Sequence, residues 1–472
     1  MPAGIRLGAD TDLWVLSEGR VLLGGSPTRL VRLRPRAAAM VRGWLEGKPV
    51  GPDRTERSVA RRLLRAGMLH PRPEPVHPGV LVTVVVPVRD RPELLEGLLR
   101  SLGPTPCVVV DDASVRRGEV EKVAREAGAG YVRLDARGGP AAARNAGLAT
   151  VRSPLVAFVD SDCTVPPDWL EGLVGHFVDP AVALVAPRVV TRSGPSWLAR
   201  YEAVRSPLDL GGREGSVGPG RRVAYVPSAA IVLRRAAAPA PCFDQRMTVG
   251  EDVDLVWRLV SAGWEVRYEP SVEVEHHPEL RPVPWAARRA AYGSSAGPLA
   301  RRHGDAVAPV RLSPVAAAAW GLAAGRRPLA ALGVVGASGL LLGGRLRGVV
   351  DRSFEVAARL SAVGLARSAV PAVAGVTRVW GPLLVVSLLS RRLGRFRLVA
   401  LGALGLSATR DWRSRPHTLD PLRYVATRAT DDLAYGAGVW WGCWRARTLR
   451  PLVPAVVGRR TTPPPSRRAG TD

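Results

Sequence analysis

Leu155-Val156-Ala157-Phe158-Val159-Asp160-Ser161-Asp162-Cys163 decides the fold. An apolar run stops abruptly in two carboxylates one residue apart. Such a run reads as a strand buried on both faces. Its C-terminal end is where open α/β sheets bind ligands. Two hard oxygen donors there suit Mg2+ or Mn2+, and a divalent ion in turn suits a diphosphate.

The same pattern recurs on either side. Val80 to Val86 is a continuous β-branched run ending at Pro87, and Cys107 to Val110 is another ending in Asp111-Asp112. Tyr131 to Leu134 reads as a third strand. Between them, Leu94, Leu95, Leu98, Leu99 and Leu102 have helical spacing after Pro92, and residues 119–127 and 140–149 are helical. Strand and helix alternate from residue 80 to residue 177, which predicts an α/β domain with a mostly parallel sheet and right-handed crossovers. Pro87-Val88-Arg89, Asp111-Asp112 and Asp160-x-Asp162 then converge on one sheet edge.

Two further stretches carry chemistry. Gly138-Gly139-Pro140 leads into a helix whose N-terminus offers N–H groups to an anion, and Arg144, one turn in, reaches toward a phosphate. The same arginine is equally placed to orient a carboxylate. The Lys-Ser/Thr of a phosphate-binding P-loop is absent. Gly250-Glu251-Asp252 opens a second helix, with Val253, Val256, Trp257 and Val260 on one face. The helix dipole there favours an ionised carboxylate by about 0.3–1 kcal/mol, which is the form a general base needs. Nothing in the sequence singles out a nucleophile for a retaining route.

Val84 to Asp90, Val110-Asp111-Asp112-Ala113-Ser114, Gly139 to Asn145, Val159-Asp160-Ser161-Asp162 and Gly250 to Arg258 stand in the order found in family 2 glycosyltransferases, which this region, roughly residues 80–280, resembles. The resemblance implies a GT-A fold and inverting transfer of a hexose, glucose by the same likeness, from a UDP-sugar to an acceptor hydroxyl with Mn2+ or Mg2+. It assigns the uracil N–H to Asp112, second of the Asp111-Asp112 pair, and the base pocket to Pro87 and Arg89. Asp160 meets the ribose or the outer shell of the metal, and Asp162 ligates the metal directly. Asp252 is the base, with Glu251 and Trp257 on the acceptor side. His276, preferred over His277, corresponds to a third metal ligand and suits Mn2+ better than Mg2+. The rival readings are a polysaccharide or cell-wall glycosyltransferase with another acceptor, a nucleotidyltransferase of related architecture, and a non-catalytic peptide-binding scaffold.

Residues 1–75 read as short strands followed by two helices, a winged-helix-like module. The pattern Leu33-x-Pro35, Val41-x-x-Trp44-Leu45-x-Gly47 and Leu63-Leu64-x-x-Gly67 resembles small modules that bind a leader peptide by strand addition, which implies a peptide-derived acceptor held there. Residues 71–78 form a proline-rich linker. Residues 281–460 read as a helical, membrane-associated region. Pro328 to Gly344 carries no charge and is flanked by Arg326-Arg327 and Arg345, although a span needs about 20 apolar residues. Arg391-Arg392, Arg395 and Arg397 favour anionic lipid and place the catalytic domain on the cytoplasmic side of the membrane. Trp440, Trp441 and Trp444 read as interfacial aromatics. Residues 461–472 form a disordered tail.

The formal charge of +26 is almost all arginine. It points to phosphorylated ligands or an anionic surface; zinc-finger, RNA-binding and helix-turn-helix patterns do not stand out, so nucleic acid is not the expected partner. Cys107, Cys163, Cys242 and Cys443 form no C-x-x-C pair, which fits a reducing compartment. The first residues lack the apolar core of an export signal.

Overall fold

The computed structural model describes residues 1–76, 81–390, 392, 394–414 and 419–456; the expected tail lies outside them. The chain opens with β1 (Arg6–Ala9), β2 (Trp14–Leu16), β3 (Val21–Gly24), β4 (Arg29–Arg32), α1 (Pro35–Leu45), α2 (Arg54–Arg65) and β5 (Leu69–Arg72). β2, β3 and β4 form an antiparallel sheet, and β1 pairs with β5. Leu22, Trp44, Leu63 and Met68 meet in its core. Asp53 caps α2 through the Glu56 N–H, and Glu56 in turn accepts from the Trp44 indole at 2.9 Å.

The catalytic part contains β6 (Val82–Val88), α3 (Pro92–Leu102), β7 (Cys107–Asp111), α4 (Arg117–Glu126), β8 (Gly130–Arg133), α5 (Gly139–Thr150), β9 (Leu155–Val159), β10 (Cys163–Thr164), α6 (Glu171–Val174), β11 (Val182–Val190), α7 (Trp197–Arg205), β12 (Gly215–Ser216), β13 (Ala230–Arg234), α8 (Glu251–Ser261) and β14 (Glu265–His276). The strands lie in the order β10-β14-β11-β13-β9-β6-β7-β8, with β12 beside β14. The sheet is mixed rather than mostly parallel. β6, β7, β8 and β9 pair in parallel as expected, but β13 runs antiparallel between β9 and β11, and β10 and β12 pair antiparallel with β14. The long excursion through α7 brings the chain back on the opposite heading, and an apolar run carries no sign of direction. β14 is one long strand with an irregularity opposite Pro187/Arg188.

Apolar strands bury on both faces, so two cores result, one on each side of the sheet. α5 lies close on the sheet because it carries Gly147, where a Cβ would sit 2.3 Å from a Val85 methyl. The stretch 197–217 contains α7, whose Leu198 and Tyr201 are buried against Trp285 and Tyr424.

The remaining elements are α9 (Pro282–Ser294), α10 (Ala296–His303), β15 (Arg311–Leu312), α11 (Pro314–Ala324), α12 (Pro328–Leu346), α13 (Ser353–Arg378), α14 (Gly381–Leu388), α15 (Gly394–Ser414), α16 (Pro421–Ala446) and β16 (Ala455–Val456). α16 packs along α9. The α12–α13 pair packs on the N-terminal strands, with Val21 and Leu30 against Leu346 and Val350. Asp10–Arg222 and Arg61–Asp179 ion pairs join the N-terminal part to the catalytic part. Among the described residues α12 is the one helix long and apolar enough to cross a membrane, and Leu329, Leu332, Leu340 and Leu341 on it are exposed.

Candidate active site

A cavity of about 930 Å3 opens beyond the C-terminal ends of β6, β7 and β9. Pro87, Arg89, Asp112, Arg144, Asp160, Asp162, Glu251, Asp252, Trp257 and His276 all line it. The sequence-predicted residue it leaves out is Asp111. Neighbouring side chains at a strand end point to opposite faces. Asp111 turns into the sheet's flank, fully buried, and accepts from the Ser114 N–H at 2.8 Å, the Tyr131 hydroxyl at 2.7 Å and Arg133 at 2.5 Å. It anchors the turn rather than facing a nucleotide. Asp112 faces the cavity and accepts from the N–H groups of Gly138 at 2.6 Å and Gly139 at 3.0 Å, which fixes the loop that opens α5. A carboxylate has about four acceptor sites, so capacity for a base N–H remains.

Asp160 and Asp162 leave β9 on either side of Ser161. Asp160 accepts from Arg144 Nη2 at 2.6 Å, and the same buried guanidinium donates to Glu251 at 3.0 Å while lying over the Phe243 ring. Arg144 thereby ties the strand end to the first turn of α8. Asp162 accepts from Arg91 at 3.1 Å. The register of β10 on β14 sets His276 opposite Cys163, so the buried imidazole Nε2 stands 3.6 Å from Asp162 Oδ1. Burial holds its pKa below the usual histidine value, against the pull of Asp162 and Asp160, which keeps the ring neutral as a ligand must be. Its buried Nδ1 has no hydrogen-bond partner among the described residues. His277 instead is half exposed, with Nε2 2.9 Å from the Thr164 hydroxyl.

Among the described residues, no set of three His, Cys, Asp or Glu side chains is gathered ready for a metal. The donor set fits a hard divalent ion that brings its own oxygens, since Mg2+ usually takes one or two carboxylates plus substrate phosphates. Asp162, Asp160 and His276 would hold it.

Gly250, with φ +86°, turns the chain into α8, and a Cβ there would meet Ser295 at 2.7 Å. Asp252 follows in the first turn, accepting from the Val253 N–H at 2.8 Å and more weakly from the Ser228 N–H at 3.3 Å. The helix dipole does not decide its charge. Burial, and then the neighbouring Glu251 carboxylate, raise its pKa to about 7, against the pull of the Val253 N–H, Arg144 and the Ser228 N–H. That rise is worth ~4 kcal/mol at about 1.4 kcal/mol per pKa unit, several times the dipole contribution. A carboxylate titrating near neutrality is matched to proton removal at physiological pH.

Sequence reasoning missed Arg91 and the whole far wall. Arg91 had a signal, as the third charge past the end of β6. The far wall comes from residues 281–460, read as membrane-associated. Arg288 and Tyr292 of α9, Arg378 of α13 and Tyr435 of α16 line the same cavity.

A mixed α/β sheet with Asp-x-Asp at the cavity edge, a loop-pinning aspartate on the next strand and paired carboxylates opening a facing helix are the arrangement of a glycosyltransferase of the GT-A type. The chain belongs to glycosyl transferase family 2, whose model matches residues 83–238. The pre-mycofactocin glycosyltransferases of two Mycobacterium tuberculosis strains, CDC 1551 and H37Rv, are each 41% identical over 97% of this chain and 98% of their own length. Among solved structures, a mannosyltransferase from Pyrobaculum calidifontis in complex with GDP-Man and Mn2+ is 18% identical, covering 78% of this chain and 89% of its own, with a TM-score of 0.44. GalNAc-T7 with UDP, GalNAc and Mn2+ is 15% identical over 48% of this chain and 49% of its own, with a TM-score of 0.35.

Proposed function

We propose that this family 2 glycosyltransferase moves glucose from UDP-glucose to a hydroxyl of a pre-mycofactocin-type, peptide-derived acceptor, with inversion, and extends it as a β-1,4-glucan. The carrying observation is Asp252, a carboxylate titrating near neutrality in the cavity that Asp112, Asp160 and Asp162 also line. The whole-length likeness to the pre-mycofactocin glycosyltransferases supports the acceptor class. The acceptor oxygen attacks the anomeric carbon and the new C–O bond forms as the bond to the diphosphate oxygen breaks. The hydroxyl proton passes to Asp252, and UDP leaves with the bonding pair. Pro87, Arg89 and Asp112 hold the uracil. Arg144 keeps Asp160 and Glu251 in register, and Asp162 with His276 would hold Mn2+ or Mg2+. That ion, when bound, offsets the charge of the departing diphosphate.

The N-terminal part, in this reading, is a winged-helix-like peptide module (1–75) before the catalytic domain (80–280), and residues 281–460 attach the enzyme to the cytoplasmic face of the membrane. The exposed leucines of α12 and the flanking Arg326, Arg327 and Arg345 support attachment to anionic lipid. Purified protein is supplied with Mn2+ or Mg2+ and a panel of nucleotide sugars, with pre-mycofactocin as acceptor. UDP release with a mass gain of one hexose is expected. Release of pyrophosphate would instead establish a nucleotidyltransferase, and no donor consumption by folded protein would end the enzyme reading.

A further inference from the structure

The far wall of the cavity brings polar side chains together from four separate segments. Tyr292 of α9, Tyr435 of α16, Tyr225 before β13 and Arg378 at the end of α13 face the cavity together. Arg378 lies over the Tyr435 ring at 4.2 Å, and its buried Nε has no hydrogen-bond partner among the described residues. A buried guanidinium N–H is costly to leave without a partner unless something enters beside it.

The wall is rigidly placed. One turn before Tyr292, Arg289 is buried and pairs with Glu202 of α7 and, at 3.1 Å, with Asp431 of α16. Asp431 stands one turn before Tyr435 and accepts from the buried Tyr201 hydroxyl at 2.9 Å. The two helices then touch backbone to backbone. A Cβ at Gly293 would lie 2.1 Å from the Tyr435 carbonyl oxygen, and one at Gly438 would lie 1.9 Å from that of Ala290. These contacts fix Tyr292 and Tyr435 relative to each other, and both Tyr225 and Tyr292 lie close enough to Asp252 to feel its charge.

The donor half of the cavity already has its occupants' partners in Asp112, Asp160, Asp162 and Arg89. The opposite half presents aromatic faces and the Arg378 guanidinium, whose Nε has no hydrogen-bond partner among the described residues. We propose that Arg378, Tyr435, Tyr292 and Tyr225 form the acceptor subsite, and that it takes a flat ring bearing a carbonyl or carboxylate oxygen, the oxygen held by Arg378 and the ring lying between the tyrosines. The C-terminal helices then complete the catalytic site besides attaching it to lipid. This rests on the glycosyltransferase reading above and adds the acceptor's place and chemistry.

The test uses the full chain loaded with UDP and Mn2+, titrated with pre-mycofactocin in a calorimeter, alongside steady-state transfer from UDP-glucose. Arg378→Gln and Tyr435→Leu are expected to weaken acceptor binding and raise acceptor KM by about tenfold or more, as loss of a charge-assisted hydrogen bond does. Arg378→Lys recovers part of the loss. UDP affinity should stay within about twofold, which also reports that each variant is folded. No acceptor binding to wild-type protein, unchanged acceptor KM in both variants, or a parallel loss of UDP affinity would each overturn the subsite. Failure of the wild type to consume donor at all would instead strike the glycosyltransferase reading, while the binding titration still judges the subsite.

Discussion

Replacing Glu251 by Gln removes the charge beside the proposed base without touching the base. Asp252 stands about 3 pKa units above an ordinary aspartate, with burial the largest cause and Glu251 the second. Burial is the larger cause, and the neighbouring carboxylate adds to it against the pull of Arg144 and the Val253 and Ser228 N–H groups. The base acts in its ionised form, so wild-type kcat/KM for the acceptor should rise with pH through about 7. In Glu251→Gln the carboxylate ionises more easily, so the rising limb should move to lower pH. Arg144 loses its partner at 3.0 Å but keeps Asp160 at 2.6 Å, which holds the strand end in place and adds to the downward shift. The assay is kcat/KM for acceptor across roughly pH 5 to 9 at fixed ionic strength, with a fast alternative donor checking that chemistry is being read. A rising limb that stays where it was, or moves to higher pH, would refute the placement of the base beside Glu251.

Asp252→Asn should cost about three orders of magnitude or more in transfer while leaving UDP binding nearly intact. The same variant should melt later than wild type at pH 8. A carboxyl whose folded pKa is raised loses stability as pH rises from its unfolded value of about 4 toward about 7, so the gap should narrow on going toward pH 5. Asp162→Ala should abolish metal-stimulated transfer, and His276→Ala should weaken the metal requirement by about 10–100-fold in a Mn2+ titration. Asp10 is buried; burial alone would raise its pKa, but hydrogen bonds from His70 and Arg222 hold it well below the usual range. Asp10→Ala should therefore cost about 3 kcal/mol in urea unfolding at neutral pH, with the difference fading as pH falls from about 4, where the unfolded carboxyl takes up its proton, toward the much lower pKa of the folded one. Leu340→Glu together with Leu341→Glu, at exposed positions of α12, should reduce flotation with anionic vesicles and leave UDP binding unchanged.

Much of the donor side was legible because strand ends are read from abrupt changes in the sequence. An apolar run that stops in Asp-x-Asp or Asp-Asp announces both the strand and its binding edge, and β6, β7 and β9 carry Pro87, Asp112 and Asp160 to one place. Which of Asp111 and Asp112 faces the ligand depends on the pleat's phase, which the sequence of a doubly buried strand does not mark. The heading of β13 was hidden for a related reason, since its four apolar residues read alike in either direction. The charge state of Asp252 follows from burial first, a tertiary property, and from the adjacent Glu251 carboxylate second, and together they outweigh the local helix dipole. The far wall was hidden because its residues come from α9, α13 and α16, inside a region read as membrane-associated, and only the fold brings them to the cavity. Gly293 and Gly438 serve the contact between α9 and α16. Of the three tryptophans read as interfacial, Trp441 and Trp444 are exposed and packed together, while Trp440 donates to the Val379 carbonyl at 2.8 Å.

The measurement that bears most directly on inverting transfer with Asp252 as base is the anomeric configuration of the product, read by proton NMR during turnover of UDP-glucose, with UDP quantified in the same tube. The α-linked donor should give a β-linked product, one UDP per bond, absent in Asp252→Asn. An α-linked product, or undiminished turnover by Asp252→Asn, would contradict it.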